Sequence, residues 1–419
     1  MSKTISILTT FYAWDKQYSL TSVVNDQIIA NLKYGYKVVL FVLPSFKDDQ
    51  KVPQGTEIRK VVPQLILEGY RDFQTPPNWK KDVEKVVEAF EKHLEDIDVV
   101  ISHDLHFQEW FTPYAAAIHE VCNRGKLKCK WLLWTHSAPS PKPDVEWPHS
   151  ARFNLPKGAK LIYLNNSDAT ILLAESYNTW LSEVRVVHNS VDPRSFWNLH
   201  PFTKYLIDKY DLLSADYMAI YPLSSTRMVS GKQVDKAVKI MSKLKKLDNK
   251  VRYVVCNAHA NAENEKKTIK DLQEKFSDWG LSNTEIIFTS LEQAPIYEQG
   301  VPREVVSDLF QLSNLFIFPT NSENCSLILL EAMLAKNLLV LNRDCPSLRE
   351  FGKENALYFS FGGLGADTKY DDEEKYYEDI AKIIENQMGI NRPLKAQRNL
   401  LQNFNYDKIF REIEKLYYE

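Results

Sequence analysis

Short runs of aliphatic, β-branched and aromatic residues recur along the whole chain, and longer amphipathic stretches separate them. The runs are nearly continuous rather than alternating in polarity, which is typical of strands that are buried on both faces of a parallel sheet. We therefore predict an α/β fold in which helices cover parallel sheets. The runs predict strands at 5–11, 37–43, 98–104, 130–137, 160–166, 216–223, 251–258, 284–290, 314–320 and 338–344.

The stretches between these runs carry apolar residues at helical spacing. They predict helices at 19–33, 81–94, 232–246, 263–278, 303–312 and 326–336. The alternation of strand and helix runs through both halves of the chain, and single hydrophobic cores stop growing near roughly 250–300 residues. A chain of 419 residues is therefore expected to form two βα domains. Pro193 and Pro201 interrupt the pattern within 186–202, so the boundary is expected there.

Charge and cysteine usage exclude some classes of protein. The formal net charge is −3, so no overall basic field marks the chain as a nucleic-acid binder. The cations of 124–130 are interpreted as a solvated helix end, with a local basic face as the alternative. Five widely spread cysteines without a C-x-x-C pair predict free thiols in a reducing compartment. The chain has no apolar run of about 20 residues and begins with a predicted strand, so we expect a cytoplasmic protein without a membrane span.

Polar residues that follow predicted strands are the first candidates for a site, because ligands of open α/β sheets bind beyond the carboxyl ends of the strands. The segment 322–333, SENCSLILLEAM, holds Glu323 and Glu331 eight positions apart. Its predicted helix start leaves the backbone N–H groups of Cys325, Ser326 and Leu327 free for an anion. Eight helical residues rise ~12 Å, so the two carboxylates suit hydroxyls on either side of a diphosphate. Taken alone, the two glutamates are better interpreted as acidic residues on the surface than as ligand-binding residues.

Arg227 and Lys232 flank the short turn MVSG between a predicted strand and a predicted helix. Two cations beside a helix N-terminus suit a diphosphate leaving group. A solvated loop is the better interpretation if the two residues are judged alone.

Several segments together resemble those of one family. ENCSLILLEAM is similar to an E-x7-E signature, RMVSGK to an R-x-x-x-x-K diphosphate element, and VVHNSVDPRSF to an interdomain motif. SHDLH, LLWTHS and the final FNYDKIFREIEKLY also have counterparts. In this order and spacing, they resemble the retaining nucleotide-sugar glycosyltransferases of the GT-B fold, the group that includes glycogen synthase and sucrose synthase.

The resemblance implies two Rossmann-like domains that face a central cleft. The acceptor-binding domain would cover 1–195 and be joined by a helix at about 400–419 that crosses back to it. The nucleotide-sugar-binding domain would cover 196–399. His136 and Asp104 would lie across the cleft from the donor, near the transferred sugar and the acceptor.

The resemblance also implies roles at the donor site. Glu323 would hold a hydroxyl of the donor sugar and Glu331 the nucleotide ribose, while Arg227 and Lys232 would neutralise the departing diphosphate. The implied catalytic residues are Glu323, His136, Asp104, Arg227 and Lys232. The implied nucleotide-sugar site comprises Arg227, Lys232, Glu323, Asn324, Cys325, Ser326, Leu327 and Glu331.

The chain departs from the family pattern at several glycines. The glycine-rich loop after the first strand is replaced by 9–20, TTFYAWDKQYSL, which has no glycine and four aromatic residues. Without glycine, close backbone approach to a phosphate is harder. The aromatic residues are expected either to stack on an acceptor ring or to pack a hinge. His188 and Ser190 replace the usual proline and glycine of the interdomain motif, and Lys336 replaces a glycine after E-A-M.

No His/Cys cluster has zinc spacing, and no P-loop or G-x-S-x-G appears. We therefore expect a retaining, metal-independent glycosyltransferase without a cofactor, which uses a nucleotide-diphosphate sugar, a UDP-sugar first, as co-substrate. A glycan or lipid carrier is the expected acceptor, and a modified DNA base is the alternative acceptor. A sugar-nucleotide epimerase or hydrolase and a non-catalytic nucleotide-sugar-binding protein are the alternative functions. The sequence leaves the sugar and the oligomeric state open.

Overall fold

The chain divides into two compact units, and each is built on its own parallel sheet. Unit 1 comprises Met1–Val191 and Tyr406–Glu419, and unit 2 comprises Asp192–Asn405. The sequence prediction set the boundary at 195/196. The computed structural model describes residues 3–15, 17–137, 143–224, 228–260, 263–292, 299–363 and 368–419.

The sheet of unit 1 has seven parallel strands in the order β3-β2-β1-β4-β5-β6-β7. Its strands are β1 (Thr4–Leu8), β2 (Lys37–Phe41), β3 (Glu57–Arg59), β4 (Val99–His103), β5 (Lys130–Trp134), β6 (Ala159–Tyr163) and β7 (Val184–Val186). The order reverses between β1 and β4, which is the doubly wound arrangement of a Rossmann-like sheet. A ligand site is therefore expected beyond the carboxyl ends of these two strands.

Helices cover both faces of this sheet. The helices of unit 1 are α1 (Ser19–Lys33), α2 (Trp79–His93), α3 (Thr112–Arg124), α4 (Asp168–Ser176) and α14 (Tyr406–Leu416). Side chains of β2 alternate between two apolar clusters, with Val38 and Leu40 in the cluster of α1 and α14 and Val39 and Phe41 in the cluster of α2 and α3. Strands buried on both faces explain why their apolar runs are nearly continuous.

Helix α14 is the last helix of the chain and packs on α1 of unit 1. The rings of Tyr34 and Phe410 stack with their centroids 4.5 Å apart, and the hydroxyl of Tyr34 donates to Asp407 at 2.8 Å. Phe410 and Ile413 lie in the same apolar cluster as Ile28 of α1. The final helix thus packs on the first unit, as the family resemblance implied.

The sheet of unit 2 has six parallel strands in the order β10-β9-β8-β11-β12-β13. Its strands are β8 (Tyr217–Ser224), β9 (Val251–Ala258), β10 (Ile286–Phe288), β11 (Leu315–Phe318), β12 (Leu338–Asn342) and β13 (Ala356–Phe359). Its helices are α5 (Pro193–Phe196), α6 (Pro201–Tyr210), α7 (Val234–Lys246), α8 (Glu263–Asp278), α9 (Arg303–Leu312), α10 (Leu327–Leu334), α11 (Pro346–Gly352), α12 (Glu373–Ile390) and α13 (Arg392–Asn403). The order reverses between β8 and β11, so this unit is also Rossmann-like.

The structure confirms the predicted α/β fold, and every predicted strand is present, although most end earlier than predicted. The residues that the prediction added at strand ends belong to the loops that carry polar side chains. The first predicted strand, 5–11, ends at Leu8, and the final helix, which the resemblance implied at about 400–419, spans Tyr406–Leu416. Within the described residues, no helix has both the length and the apolar character that crossing a membrane requires.

Candidate functional site

In unit 2, the loops that follow β8 and β11 are tied together where the strand order reverses. The backbone N–H of Asn321 donates to the carbonyl of Gly231 at 3.0 Å, and the hydroxyl of Thr320 donates to the same carbonyl at 3.2 Å. The side-chain amide of Gln233 donates to the carbonyl of Pro319 at 2.8 Å. These bonds fix the turn before α7 against the loop before α10.

This arrangement brings together Lys232 and Glu323, which are 91 positions apart in sequence and form an ion pair. Both side chains are half-buried, and the ammonium group of Lys232 lies 5.9 Å from the ring centre of Phe318. The hydroxyl of Ser347 donates to the carbonyl of Glu323 at 2.7 Å, which anchors the backbone on its other side. A carboxylate and an ammonium group that are held in this way can each bind a polar ligand without much reorganisation of the site.

Helix α10 begins after Ser326, which has extended backbone angles and makes no side-chain cap. The first intrahelical bond runs from the N–H of Leu330 to the carbonyl of Ser326. The N–H groups without intrahelical partners are therefore those of Ser326 to Leu329, whereas the sequence predicted those of Cys325 to Leu327. Ser326 and Leu327 belong to both sets, and the helix starts at Leu327, one residue later than predicted. An unfilled helix N-terminus favours an anion.

Glu331 lies on α10 and forms an ion pair with Arg303, the first residue of α9. The carboxylate is half-buried and the guanidinium group is mostly exposed. Both residues line a pocket of ≈ 420 Å³ whose floor is apolar, with Val306 and Phe310 from α9 and Leu334 from α10. The second glutamate of the pair is thus at the edge of a cavity of its own.

The remaining predicted donor-site residues have varied positions. Asn324 and Cys325 are exposed, and Leu327 is exposed at the start of α10. Arg227 lies outside the described residues, so its predicted role stays a prediction. Lys336, which stands where the family has glycine, has a φ of 62° in the left-handed region just beyond α10.

In unit 1, Asp104 directly follows β4 and adopts a left-handed backbone with a φ of 57°. Its N–H donates to the carbonyl of Trp134 at 2.9 Å. Its carboxylate accepts the backbone N–H of His136 at 2.8 Å. The two predicted residues of this unit are therefore joined directly, at the carboxyl ends of neighbouring strands β4 and β5.

A chain of hydrogen bonds continues from His136 into the core. Its Nε2 lies 2.8 Å from Nδ1 of His103, and Nε2 of His103 lies 2.9 Å from Oε1 of Gln27 on α1. Because an amide oxygen only accepts, Nε2 of a neutral His103 carries the proton and its Nδ1 accepts. Nε2 of His136 then donates, and Nδ1 of His136 is left as the acceptor nitrogen. Gln27 thereby sets the tautomer of both imidazoles.

Burial keeps these histidines neutral. Desolvation lowers the pKa of His103 well below its usual value, and the nearby His136 adds to that effect. Desolvation also lowers the pKa of His136, against the opposing attraction of Asp104. The pKa of Asp104 is raised by burial, and the hydrogen bond from the His136 N–H works against that rise. At neutral pH the imidazoles therefore donate and accept hydrogen bonds rather than carry charge.

The glycine-free loop 9–20 lines a pocket of ≈ 1270 Å³ together with His103 and Asp104. Its described part stays out of the left-handed region, so this backbone needs no glycine. The loop is anchored from the sheet: the N–H of Leu43 donates to the carbonyl of Phe11 at 3.1 Å. Its aromatic residues line this pocket. That position suits the first of the two roles expected from the sequence, which is stacking on an acceptor ring.

Sequence reasoning missed Gln27 and Arg303. Gln27 lies on the buried face of α1, next to Ile28, and a buried amide on an apolar helix face is a signal that it has a polar partner. Arg303 is the first residue of α9, and no comparable feature of the sequence indicates that it has a polar partner. Their partners, His103 and Glu331, are 76 and 28 positions away.

All five cysteines are free thiols, as predicted. Burial raises the pKa of Cys122 to about 12 and of Cys129 to about 11, which makes both poor nucleophiles. Among the described residues, no group of three or more His, Cys, Asp and Glu side chains is placed to hold a metal ion.

No protein-family model matches the chain, and no curated protein matches it. Solved structures match it over almost its whole length. A glycosyltransferase from Rickettsia africae ESF-5 is 15% identical, with 99% of this chain and 98% of that chain covered and a TM-score of 0.37. The catalytic domain of starch synthase IV from Arabidopsis thaliana, bound to ADP and acarbose, is 11% identical, with 100% and 99% covered and a TM-score of 0.38.

A sucrose-phosphate synthase from Thermosynechococcus elongatus is 12% identical, with 99% and 98% covered and a TM-score of 0.33. At these identities and TM-scores, the similarity adds nothing to the strand orders described above. The case for function therefore rests on the residues of this chain.

Proposed function

We propose that this chain is a retaining glycosyltransferase that moves a sugar from a nucleotide-diphosphate sugar to an acceptor hydroxyl. The observation that carries the proposal is the pairing of Lys232 with Glu323 beside the start of α10, with Glu331 eight positions further along. A cation, a helix N-terminus without a side-chain cap and two separated carboxylates suit a diphosphate that has hydroxyl-bearing groups on both sides.

In the proposed reaction, the acceptor hydroxyl attacks the anomeric carbon from the face that the diphosphate leaves. The bond between that carbon and the phosphate oxygen breaks, and the departing oxygen takes the proton of the hydroxyl. Lys232 and the N–H groups of α10 stabilise the negative charge that develops on the diphosphate. Glu323 orients the transferred sugar, which places its reacting carbon.

The two glutamates then exchange partners when the donor binds. Glu331 would release Arg303 and accept the ribose hydroxyls, and Lys232 would turn from Glu323 to the diphosphate. Arg303 is mostly exposed, so its ion pair with Glu331 contributes little, about 0–1 kcal/mol, and a ligand can compete with it. Unit 1 is proposed to bind the acceptor, with Asp104 and neutral His136 available as hydrogen-bonding groups. No metal or cofactor enters this scheme, and a UDP-sugar is the first donor to test.

Calorimetric titration tests the donor site. UDP, GDP and ADP, free and as sugar conjugates, are titrated into the wild type and two variants. Glu331→Gln is expected to weaken nucleotide binding by ~1–3 kcal/mol through a lost charged hydrogen bond. Glu323→Gln is expected to lose sugar transfer, because the sugar loses its partner. It should not weaken free-nucleotide binding, because Lys232 is then released from its ion pair and stays available to the diphosphate.

Glu304→Gln, an exposed acid of the same unit, is the control and should change neither quantity. Equal nucleotide affinity in both site variants would contradict the division of roles. Absence of nucleotide binding in the wild type would contradict the proposed function. Release of free sugar or an epimer from donor alone would favour a hydrolase or an epimerase instead.

A further inference from the structure

We infer that the pocket of unit 1 binds an uncharged carbohydrate, so that the acceptor is a neutral sugar and not a nucleic acid. The designation as acceptor rests on the proposed transferase function. The class of ligand rests on the pocket itself: its exposed aromatic rings, its hydrogen-bonding groups and its charge.

Three aromatic side chains of the pocket are exposed to solvent. Tyr12 is 71% exposed, Tyr18 52% and Trp110 38%. Several exposed rings grouped around one cavity are typical of a ligand-binding groove. Sugar rings have an apolar C–H face and a polar rim, so they can stack on such rings while their hydroxyls reach polar side chains.

The aromatic loop is held in place before any ligand arrives. Trp14 and Phe11 are buried, and their rings meet edge to face with centroids 6.1 Å apart. The N–H of Trp14 donates to the carboxylate of Asp48 at 2.7 Å. The ring of Tyr18 packs edge-on against Phe11, with centroids 6.3 Å apart. A preorganised wall lowers the entropy cost of binding, which is expected of a site that recognises a ligand by shape.

The polar groups of the wall suit hydroxyls. Amides of Gln17, Gln50 and Gln108 line the cavity with the carboxylate of Asp104. Amides both donate and accept, and carboxylates accept strongly from hydroxyl groups. A volume of ≈ 1270 Å³ exceeds the roughly 300–1,000 Å³ of a cavity for a drug-sized ligand, so more than one sugar ring fits.

The charge of the pocket argues against an anionic ligand. Its described lining holds the carboxylates Asp15, Asp48 and Asp104 and one lysine, Lys51, which lies 2.9 Å from Asp48 in an ion pair. His103 is buried and neutral. Three negative groups against one positive group leave the described wall negative. Adding Lys16, which lies outside the described residues, would still give no positive excess.

The basic stretch 124–130 does not supply phosphate contacts for a nucleic acid at this pocket. Arg124 pairs with Glu84 at 2.8 Å, and Lys126 pairs with Glu91 at 2.7 Å. Lys130 begins β5, whereas the pocket lies beyond the carboxyl end of the neighbouring strand β4. In a parallel sheet, the amino ends and the carboxyl ends of neighbouring strands lie on opposite sides, so Lys130 is far from the pocket. Proteins that bind nucleic acids need lysines and arginines free for the phosphates. Arg124 and Lys126 instead face their own acids, and Lys130 donates to the carbonyl of Tyr417 at 3.2 Å.

Binding of a glycan array to the full chain tests the inference. The array carries neutral, sialylated, sulfated and phosphorylated glycans, and a labelled 12-nucleotide single strand of DNA is titrated separately by fluorescence anisotropy. We expect binding to neutral glycans alone. Tyr12→Ala should weaken it by about tenfold or more, as removal of an aromatic anchor does, and Tyr12→Phe should retain it.

Trp180→Ala is the matched control, because Trp180 is an aromatic residue of the same unit, is 81% exposed and does not line the pocket. It should bind as the wild type does. Strongest binding to charged glycans or to DNA would overturn the inference, as would neutral-glycan binding that Tyr12→Ala leaves intact or an array without neutral binders.

The donor titration separates the two proposals. Nucleotide-sugar binding with transfer to a charged acceptor would overturn this inference and leave the transferase function standing. Neutral-glycan binding that depends on Tyr12, in a protein that binds no nucleotide sugar, would overturn the transferase function and with it the role of the glycan as acceptor.

Discussion

The two units have the same strand order around the point of reversal but use charge differently. In unit 1, the pocket beyond β1 and β4 combines exposed aromatic rings and a negative wall with a chain of neutral hydrogen-bonding groups from Gln27 through His103 to His136. In unit 2, the residues beyond β8 and β11 are ion pairs, Lys232 with Glu323 and, nearby on α10, Glu331 with Arg303. One topology therefore supports two kinds of site, and the loops alone decide which ligand each suits.

Removing a charge from unit 2 gives the largest expected effect. Lys232→Ala should lower kcat by a factor of ~10² or more, because a preorganised cation at the leaving group is lost. The matched control is Lys239→Ala, which removes a similarly half-buried lysine of the same unit that pairs with Glu373. Steady-state kinetics with the donor found by titration provide the measurement. Equal losses in both variants would mean that Lys232 acts through stability.

Unit 1 is expected to be the acid-sensitive half. Burial lowers the pKa of His106 to about 3, while an unfolded histidine titrates near ~6.5. Below pH 6.5 the unfolded state therefore binds a proton that the native state does not, and stability falls by ~1.4 kcal/mol per pH unit for this group. His106→Gln should remove that share, about 2 kcal/mol between pH 6.5 and 5.

Chemical denaturation of the wild type and His106→Gln at pH 7, 6 and 5 checks this expectation. The variant should lose less stability on acidification, whatever its stability at pH 7. Parallel losses in the two proteins would show that His106 does not carry the acid sensitivity of unit 1.

The neutral chain of unit 1 is tested at its buried end. Gln27→Leu removes the oxygen that fixes His103, so we expect a mixture of tautomers at His136 and a loss in kcat of about tenfold. Nitrogen-15 NMR of the imidazoles reports the tautomers directly. Asn31→Leu is the control: Asn31 is a buried amide of the same helix whose oxygen accepts from Tyr417 and whose NH2 group donates to the backbone carbonyl, not the side chain, of Gln27. A tautomer shift in both variants, or in neither, would exclude Gln27 as a positioning residue.

The smallest expected effect concerns the left-handed backbone of Lys336 in unit 2. Lys336 has a left-handed backbone with a φ of 62°, which costs an L-residue roughly 1–2 kcal/mol. Lys336→Gly should therefore stabilise the protein by about 0.5–1 kcal/mol after the entropy cost of glycine. Lys382→Gly, in the interior of α12, should instead destabilise it by about 1 kcal/mol. Thermal melting of both variants compares the signs.

The sequence predicted the central strands and six of the helices, but it missed short edge strands and several other helices, among them α3 and α12. Helices 19–33, 263–278 and 303–312 and strand 251–258 have the predicted bounds, because their apolar pattern reflects burial. Strands β3, β7 and β13 were missed. They are three or four residues long, lie at sheet edges and are only partly buried, so their patterns are too short to identify, even in β13, whose four residues ALYF are all apolar.

The candidate site divides in the same way. Sequence could single out Glu323 and Lys232 as unusual, because their neighbours form motifs. It could not predict that they pair, since that depends on the hydrogen bonds between two loops 91 positions apart. It could not assign Gln27 to His103 for the same reason: one lies on a helix, the other at a strand end, and only the folded sheet joins them.

Because α14 is the last helix in the sequence, unit 1 is completed only after unit 2 during synthesis. Unit 2 is continuous in sequence, whereas unit 1 needs residues 406–416, which the ribosome makes after all of unit 2. Until then, the face of α1 that Phe410 and Ile413 cover is open to water. A nascent chain would thus hold a finished second unit beside a first unit with an uncovered apolar face, which makes it a target for chaperones until the last helix docks.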